Sequence, residues 1–330
     1  MGASTMRVYC TLFDSNYLIK GAVMIDSLQE WAPGAVIYVL CMDPRTCDLL
    51  AELNLPGVRS LRLQDVEDDD LLRVKQGRSA AEYCWTLSAA LCAFVMHACP
   101  DADMVTYLDA DLMFFSSVSP LFAEMAGASV SIIEHRYSAE LAPLAANGRF
   151  NVQWVGFRRD AIGLECLARW RAQCIEWCHA WLEDGRFGDQ KYLEEWPERY
   201  GTRVHIIAHP GAGVAPWNLA GAFVTQESDG IIRVDGVPLI FYHFHQLHLM
   251  ANGTIDPMPQ RYRQFASPPA VIYTPYTIAL TEMLKRIRKL DPGFSGGIRS
   301  PRLLFARRLV RRIAPARVKA FLRQIGVQPW

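Results

Sequence analysis

Strands and helices alternate along the first third of the chain, and this alternation limits the folds that are open to it. Apolar runs typical of strands and the 3.6-residue spacing typical of helices follow one another in chain order: strand Arg7 to Phe13, helix 16–31, strand Ala35 to Met42, helix 45–54, strand Val58 to Leu63 and strand Met104 to Leu108. Such alternation predicts an α/β fold with a mainly parallel sheet covered by helices on both faces.

The longest uncharged run, Tyr83 to Cys99, interrupts this pattern with a buried helix. It is shorter than the ~20 residues of a membrane span, and Ser79 with Glu82 forms the capping-box pattern that starts a helix. We therefore expect a core helix. Residues 1–10 show no signal peptide, and the nine cysteines contain no Cys-x-x-Cys pair. A reduced, cytoplasmic protein is expected.

The second half is more mixed, and its charge is unevenly spread. It predicts strands at 128–133, 150–157, 204–207, 223–225, 231–234 and 238–243, and helices at 160–184, 271–290 and 302–325. We divide the chain into a domain over 1–265 and a basic helical extension over 266–330. Residues 285–330 hold thirteen Lys/Arg and one acid, a charge of +12, and the formal net charge of zero leaves −12 for the rest.

Apolar residues interleave with the basic residues of the tail, which suits an amphipathic helix pair lying on anionic lipid. A solvated helix packed on the domain is the alternative. Nucleic acid is not expected as a partner, because the tail has almost no aromatic residues on which bases could stack.

Asp109 and Asp111 are the most informative pair in the chain. The strand Met104 to Leu108 runs directly into them, and ligands of α/β sheets bind beyond the carboxyl ends of strands. Mn²⁺ and Mg²⁺ are held by carboxylate oxygens together with substrate phosphates. The pair therefore predicts a divalent metal site for a phosphate-containing ligand.

The stretch Tyr107 to Phe115 resembles the metal motif of retaining GT-A glycosyltransferases, in particular those similar to glycosyltransferase family 8. Further segments resemble that family in their order along the chain: Phe13 to Tyr17, Phe150 to Gln153 with Gly156-Phe157, Gly188 to Leu193, Ala215 to Asn218, and Phe241 to Phe244. The resemblance covers roughly residues 7–245. It implies a GT-A-like fold and transfer of a sugar from a nucleoside-diphosphate sugar, a UDP-sugar above all, to a glycan or lipid-linked acceptor.

The resemblance also implies roles for particular residues. Asp109, Asp111 and His243 would be the metal ligands, with His245 as the alternate histidine, and Asp189 and Gln190 would be the catalytic residues beside the transferred sugar. The residues that it assigns to the donor are Phe13, Asp14, Tyr17, Asp109, Ala110, Asn151, Gln153, Trp217 and Asn218. Without the resemblance, Asp189 could start a surface helix, and Trp217 with Asn218 could close a turn.

Some family features are absent. Gly213 stands where the family often has Asn, no Lys-Pro-Trp follows the metal histidine, and the helix before the metal strand is uncharged. The residue that holds the diphosphate beside the metal is therefore left open. Two rivals also remain: a sugar-1-phosphate nucleotidyltransferase, which would carry a Gly-rich basic loop after the first strand, and a non-catalytic protein that binds nucleotide sugars.

Overall fold

The alternation of strands and helices is present in a computed structural model of the chain, which describes residues 6–300. In chain order its strands are β1 (Arg7–Phe13), β2 (Val36–Cys41), β3 (Val58–Arg62), β4 (Met104–Leu108), β5 (Leu112–Phe114), β6 (Val130–Glu134), β7 (Phe150–Arg158), β8 (Val204–Ile207), β9 (Val224–Gln226), β10 (Ile232–Val234), β11 (Val237–Pro238), β12 (Phe241–His243), β13 (His248–Met250), β14 (Ile255–Asp256) and β15 (Ile298–Arg299). Its α-helices are α1 (Leu18–Trp31), α2 (Pro44–Leu53), α3 (Leu63–Val66), α4 (Asp69–Lys75), α5 (Ala80–Ala98), α6 (Ser119–Glu124), α7 (Ala161–Glu176), α8 (Trp196–Tyr200), α9 (Gln260–Arg263) and α10 (Ala270–Leu290).

The central sheet has seven strands in the order β3-β2-β1-β4-β7-β6-β8. Every neighbouring pair is parallel except the two that involve β7, which runs antiparallel to β4 and to β6. The predicted α/β fold with a mainly parallel sheet and flanking helices is confirmed. Strands β1 and β4 are neighbours, so their carboxyl ends, and the polar residues that follow them, lie at one edge of the sheet.

Both faces of this sheet are covered. Along β1, Tyr9 and Phe13 belong to the core on the side of α1 and α10, whereas Val8, Cys10 and Leu12 belong to the core on the side of α5 and α7. This alternation follows from the two-residue period of a strand. A strand that is apolar on both faces is the pattern that a buried parallel sheet requires.

Helix α5 is the buried core helix that the uncharged run predicts. Its capping box is formed: the Glu82 amide donates to the Ser79 hydroxyl at 3.3 Å, and the Ser79 amide donates to the Glu82 carboxylate at 2.8 Å. No helix within residues 6–300 is long and apolar enough to cross a membrane.

The helix predicted over 160–184 is wrong beyond Glu176, where α7 ends. Trp177 is extended, and the rings of His179 and Trp181 stack at 4.4 Å. Residues two apart share a side only in extended chain, so this aromatic contact is incompatible with a continuing helix. The Ala180 amide donates to Glu82, which ties the segment to α5 instead.

The C-terminal part of the described chain packs against the first turn and helix. Helix α10 adds Ile272, Tyr276, Leu280 and Met283 to the core that α1 also lines. The predicted helix 302–325 and the other residues of the basic tail beyond residue 300 lie outside the described residues. The domain boundary at residue 265 stays a prediction.

Candidate functional site

Asp109, Asp111 and His243 come together through two neighbouring elements. Asp109 and Asp111 follow β4, and β5 begins directly after them. Strand β12 pairs antiparallel with β5, and this register sets His243 opposite Leu112. The Phe244 amide also donates to the Asp111 carbonyl at 2.9 Å. The backbone of this ribbon therefore fixes the histidine beside the carboxylates.

The three side chains form a compact group of possible metal ligands. Nε2 of His243 lies 3.0 Å from Oδ1 of Asp111 and 3.9 Å from Oδ2 of Asp109. One ligand atom from each residue lies within 4.8 Å of the other two, and within residues 6–300 no other such group is found. The side chain of Asp109 is 28% exposed, against 9% for Asp111 and 4% for His243, so the group opens to solvent on the Asp109 side.

Gln153 orients the imidazole of His243. Its side-chain oxygen lies 3.1 Å from Nδ1 of His243. Because a carbonyl oxygen can only accept, this contact places a proton on Nδ1, so that Nε2 is the ring nitrogen that faces the carboxylates and that a cation could bind once Nε2 has lost its proton. Two carboxylates and one imidazole held in this way fit a divalent cation, and a polar partner on the far ring nitrogen is the usual support of a metal-binding histidine.

The two carboxyls titrate differently because their surroundings differ. Burial raises the pKa of Asp109 to about 6, and the charge of Asp111 adds to this effect. Burial also acts to raise the pKa of Asp111, but the contacts with His243 and Lys20 outweigh it and hold that pKa well below its usual range. Burial acts to lower the pKa of His243, but the contact with Asp111 outweighs this effect, so the pKa is raised. A cation binding here would displace protons from the group.

Lys20 is part of this site, and the sequence analysis did not identify it. Its ammonium lies 3.7 Å from Oδ2 of Asp111 and 4.6 Å from the centre of the Tyr17 ring. Burial, together with the charge of Arg299, lowers the pKa of Lys20 despite the opposing effect of Asp111. The only signal available in the sequence was that Lys20 follows Tyr17 by three residues at the start of a helix, which places the two side chains on one face.

The turn after β1 reaches the site mainly through Tyr17. The Asp14 carboxylate accepts from the amides of Asn16 and Tyr17 at 3.0 and 3.2 Å and so fixes the turn. Phe13 is buried, and its ring packs so closely on Gly21 that a Cβ there would lie 2.3 Å from it. Tyr17 is 40% exposed. Of the three residues of this turn assigned to the donor, Tyr17 has the exposed ring.

Asp189 lies close enough to Asp109 for the two charges to interact. Burial raises the pKa of Asp189 to about 8, and the charge of Asp109 contributes to the rise. The neighbouring Gln190 is engaged differently, since its amide donates to the Asn147 carbonyl at 2.8 Å. Asp189, and not Gln190, therefore interacts electrostatically with the carboxylate of Asp109.

Of the other residues assigned to the donor, Trp217 packs against His243. Trp217 is 2% exposed and meets the His243 ring edge-to-face at 5.0 Å, and Ala110 is also buried. The Asn151 amide lies 3.0 Å from Nε2 of His135. The Asn218 side chain closes a turn through three hydrogen bonds, with the Ala215 amide and the carbonyls of His135 and Gly213.

His245, the alternate histidine, lies outside the ligand group. Its ring is 5.6 Å from that of His243, and its Nε2 lies 3.5 Å from the Arg261 guanidinium.

Comparison with known proteins finds relatives that align with this chain over most of their length. The uncharacterized protein YfnD of Bacillus subtilis is 34% identical over 293 residues, which cover 88% of this chain and 93% of YfnD. The chain belongs to the YfnD family. A second relative, the uncharacterized protein YfnF of Bacillus subtilis, is 29% identical over 295 residues, which cover 87% of the chain and 96% of YfnF. No family model matches the chain.

Solved structures with a similar backbone arrangement have low sequence identity to this protein. A galactosyltransferase, LgtC, in complex with donor and acceptor sugar analogues is 14% identical, with a TM-score of 0.49 over 80% of this chain and 98% of that chain. Mouse xyloside xylosyltransferase 1 is 15% identical, with a TM-score of 0.46 over 73% and 98%.

Proposed function

We propose that the chain is a metal-dependent glycosyltransferase. It would transfer a sugar, with retention, from a nucleoside-diphosphate sugar such as a UDP-sugar to a glycan or lipid-linked acceptor. The observation that carries this proposal is the group formed by Asp109, Asp111 and His243 at the carboxyl end of β4. Its support is the ordered set of sequence segments that resemble family 8 enzymes.

The two carboxylates and Nε2 of His243 would hold Mn²⁺ or Mg²⁺. A divalent cation in such a site offsets the negative charge of a diphosphate leaving group. The residues of the chain supply the geometry. Gln153 holds the imidazole in the tautomer that binds a cation, and the ribbon of β5 and β12 holds Asp111 beside it. Tyr17, exposed at the mouth of the site, would contact the nucleoside.

Asp189 would hold the transferred sugar. A carboxyl with a pKa of about 8 carries its proton at neutral pH, and a protonated carboxyl can donate a hydrogen bond to a sugar hydroxyl. It is a weak nucleophile in that state, which favours a positioning role. Gln190, fixed to Asn147, would help to shape the same side of the site.

The basic tail would bring the enzyme to its acceptor. Its residues beyond 300 lie outside the described part of the chain, and their sequence suits contact with an anionic membrane surface. The acceptor would then be a glycolipid or a growing glycan at the cytoplasmic face of the membrane.

The test is release of nucleoside diphosphate from a panel of nucleotide sugars, followed by mass spectrometry with Mn²⁺ or with EDTA. We expect one donor to be consumed only with Mn²⁺, and Asp109→Asn and Asp111→Asn to reduce its turnover by at least 100-fold. Asp70→Asn is the matched control, because Asp70 is exposed on α4, where it pairs with Arg73. Equal turnover with EDTA, or turnover in the site variants equal to that of the control, would refute the proposal.

A further inference from the structure

We propose that Lys20 and Arg299 together bind the diphosphate of the donor, an inference that rests on the proposed function. They would take the place of the lysine in the Lys-Pro-Trp that the resembled family carries after its metal histidine. They reach the site from opposite ends of the chain, Lys20 on the first helix and Arg299 on the last described strand.

Lys20 is placed to meet an anion in addition to Asp111. Its side chain is only 12% exposed, and an ammonium group taken out of water needs a close negative partner. The nearest carboxylate oxygen, Oδ2 of Asp111, is 3.7 Å away, beyond hydrogen-bond distance. Oδ1 of the same carboxylate faces His243. A cation bound between Asp111 and His243 would weaken the attraction of this carboxylate for Lys20, and a phosphate could replace it.

Arg299 is delivered to the site by residues 294–299, which we call the strap. The buried ring of Phe294 anchors it, and the Arg299 carbonyl accepts from the Ala251 amide at 2.9 Å. The strap lies directly on the turn after β1: a Cβ on Gly296 would be 2.1 Å from the Ser15 carbonyl oxygen, and one on Gly297 would be 2.1 Å from that of Asn16. Gly297, which lies against Asn16, is two residues before Arg299, and the charge of Arg299 acts on the pKa of both Tyr17 and Lys20.

The charges of the site agree with this role. The carboxylates of Asp14, Asp109 and Asp111 would face one divalent cation, Lys20 and Arg299, which leaves the site with a net charge of about +1. A nucleoside-diphosphate sugar carries two negative charges on its phosphates. The cation alone would leave the site with a net negative charge, and phosphates would then be repelled.

Calorimetry with the full chain tests the proposal. First, UDP, GDP, CDP, ADP and dTDP are titrated into the wild-type protein with Mn²⁺, and the nucleotide that binds most tightly is used as the probe. Lys20→Met and Arg299→Gln should each weaken its binding roughly 10- to 100-fold, the range of a charged hydrogen bond. The matched controls are Lys285→Met and Arg286→Gln, because both side chains pair with other acids on the outside of α10.

The strap is tested by a pair of glycine variants. Gly296→Ala should weaken nucleotide binding because its Cβ would collide with the backbone of the turn. In Gly293→Ala the nearest atom, Oδ1 of Asp291, would be at an ordinary contact distance of 3.6 Å, and binding should not change. Binding of Mn²⁺ alone should be retained in Lys20→Met, Arg299→Gln and Gly296→Ala, which shows that the metal ligands are intact.

The outcomes separate this inference from the proposed function. If no nucleotide binds the wild-type protein in a Mn²⁺-dependent way, the proposed function fails. If the probe binds the wild-type protein, and Lys20→Met and Arg299→Gln bind it as tightly as their controls, the inference fails and the proposed function stands. A loss of Mn²⁺ binding in Lys20→Met would also overturn the inference, because the lysine would then be supporting the metal ligands.

Discussion

Replacing Asp189 by Asn should stabilise the protein at neutral pH. In the unfolded chain this carboxyl has a pKa near 3.8, and in the folded chain burial raises it to about 8. Folding therefore requires the carboxyl to keep a proton that it would lose in the unfolded chain. Between these two pH values the wild-type protein loses stability as the pH rises, by ~1.4 kcal/mol per pH unit. An amide at this position carries no such cost.

The magnitude follows from the same two pKa values. At pH 7 the difference amounts to roughly 4 kcal/mol in favour of Asp189→Asn, and near pH 4 it should vanish. We would measure free energies of unfolding by urea titration with tryptophan fluorescence, in EDTA, at several values between pH 4 and pH 8. The difference in free energy of unfolding between Asp189→Asn and the wild-type protein should increase steadily as the pH rises over that range.

Asp160 provides a control of opposite sign. Burial acts to raise its pKa, but hydrogen bonds from the Gly163 amide and the Ser129 hydroxyl, with the charge of Arg203, hold it below its usual value. Its ionised form stabilises the fold above the unfolded pKa, and that contribution is lost as the pH falls through the folded pKa. Asp160→Asn should therefore destabilise at pH 7. If Asp189→Asn also destabilises at pH 7, or if its gap does not change with pH, the assignment of a buried protonated Asp189 is refuted.

Three further predictions concern the metal, the core and the tail. Mn²⁺ affinity measured by calorimetry should fall below about pH 6, because Asp109 must lose its proton to bind the cation; a flat profile from pH 5 to pH 7 would contradict this. Ser79→Ala should lower the free energy of unfolding by about 1 kcal/mol through loss of the capping box of α5, measured by urea titration, whereas Ser228→Ala, at an exposed position, should not. A chain ending at Ser300 should bind anionic liposomes less than the full chain in flotation at low salt, and equal flotation of the two would show that the tail does not bind lipid.

The elements and the metal group were largely predictable from local sequence. The spacing of apolar residues in strands and in helices can be recognised from residues that are close in sequence. The positions of β1, β4 and α5 were therefore predicted within a few residues. The Asp109 and Asp111 pair could be found because the end of an apolar strand marks the ligand edge of such a sheet. His243 could be assigned as a metal ligand only through the resemblance. It comes close to the two carboxylates because β12 pairs with β5, and these strands are far apart in the chain.

Other parts depend on contacts that local sequence does not encode. Gln153 stays a predicted donor residue, but its contact with Nδ1 of His243 was not predictable, because the direction of a side chain depends on what packs against it. Nothing in the local sequence indicates what Gly296 and Gly297 contact, yet these glycines allow the strap to lie against residues 15 and 16, about 280 positions earlier. The helix predicted past Glu176 ends early: Trp177 is extended, and His179 and Trp181 stack in a contact that a helix does not allow and that local sequence does not reveal.

Pulsed electron paramagnetic resonance of bound Mn²⁺ tests the central claim most directly, because it identifies the nuclei coordinated to the metal. With the wild-type protein and its preferred nucleoside diphosphate, we expect nitrogen coupling from one imidazole and phosphorus coupling from the diphosphate on the same Mn²⁺. His243→Ala should remove the nitrogen coupling, whereas His245→Ala should retain it, since His243 faces both carboxylates. A Mn²⁺ signal that shows neither coupling in the wild-type protein, or a nitrogen coupling that survives in His243→Ala, would contradict the account.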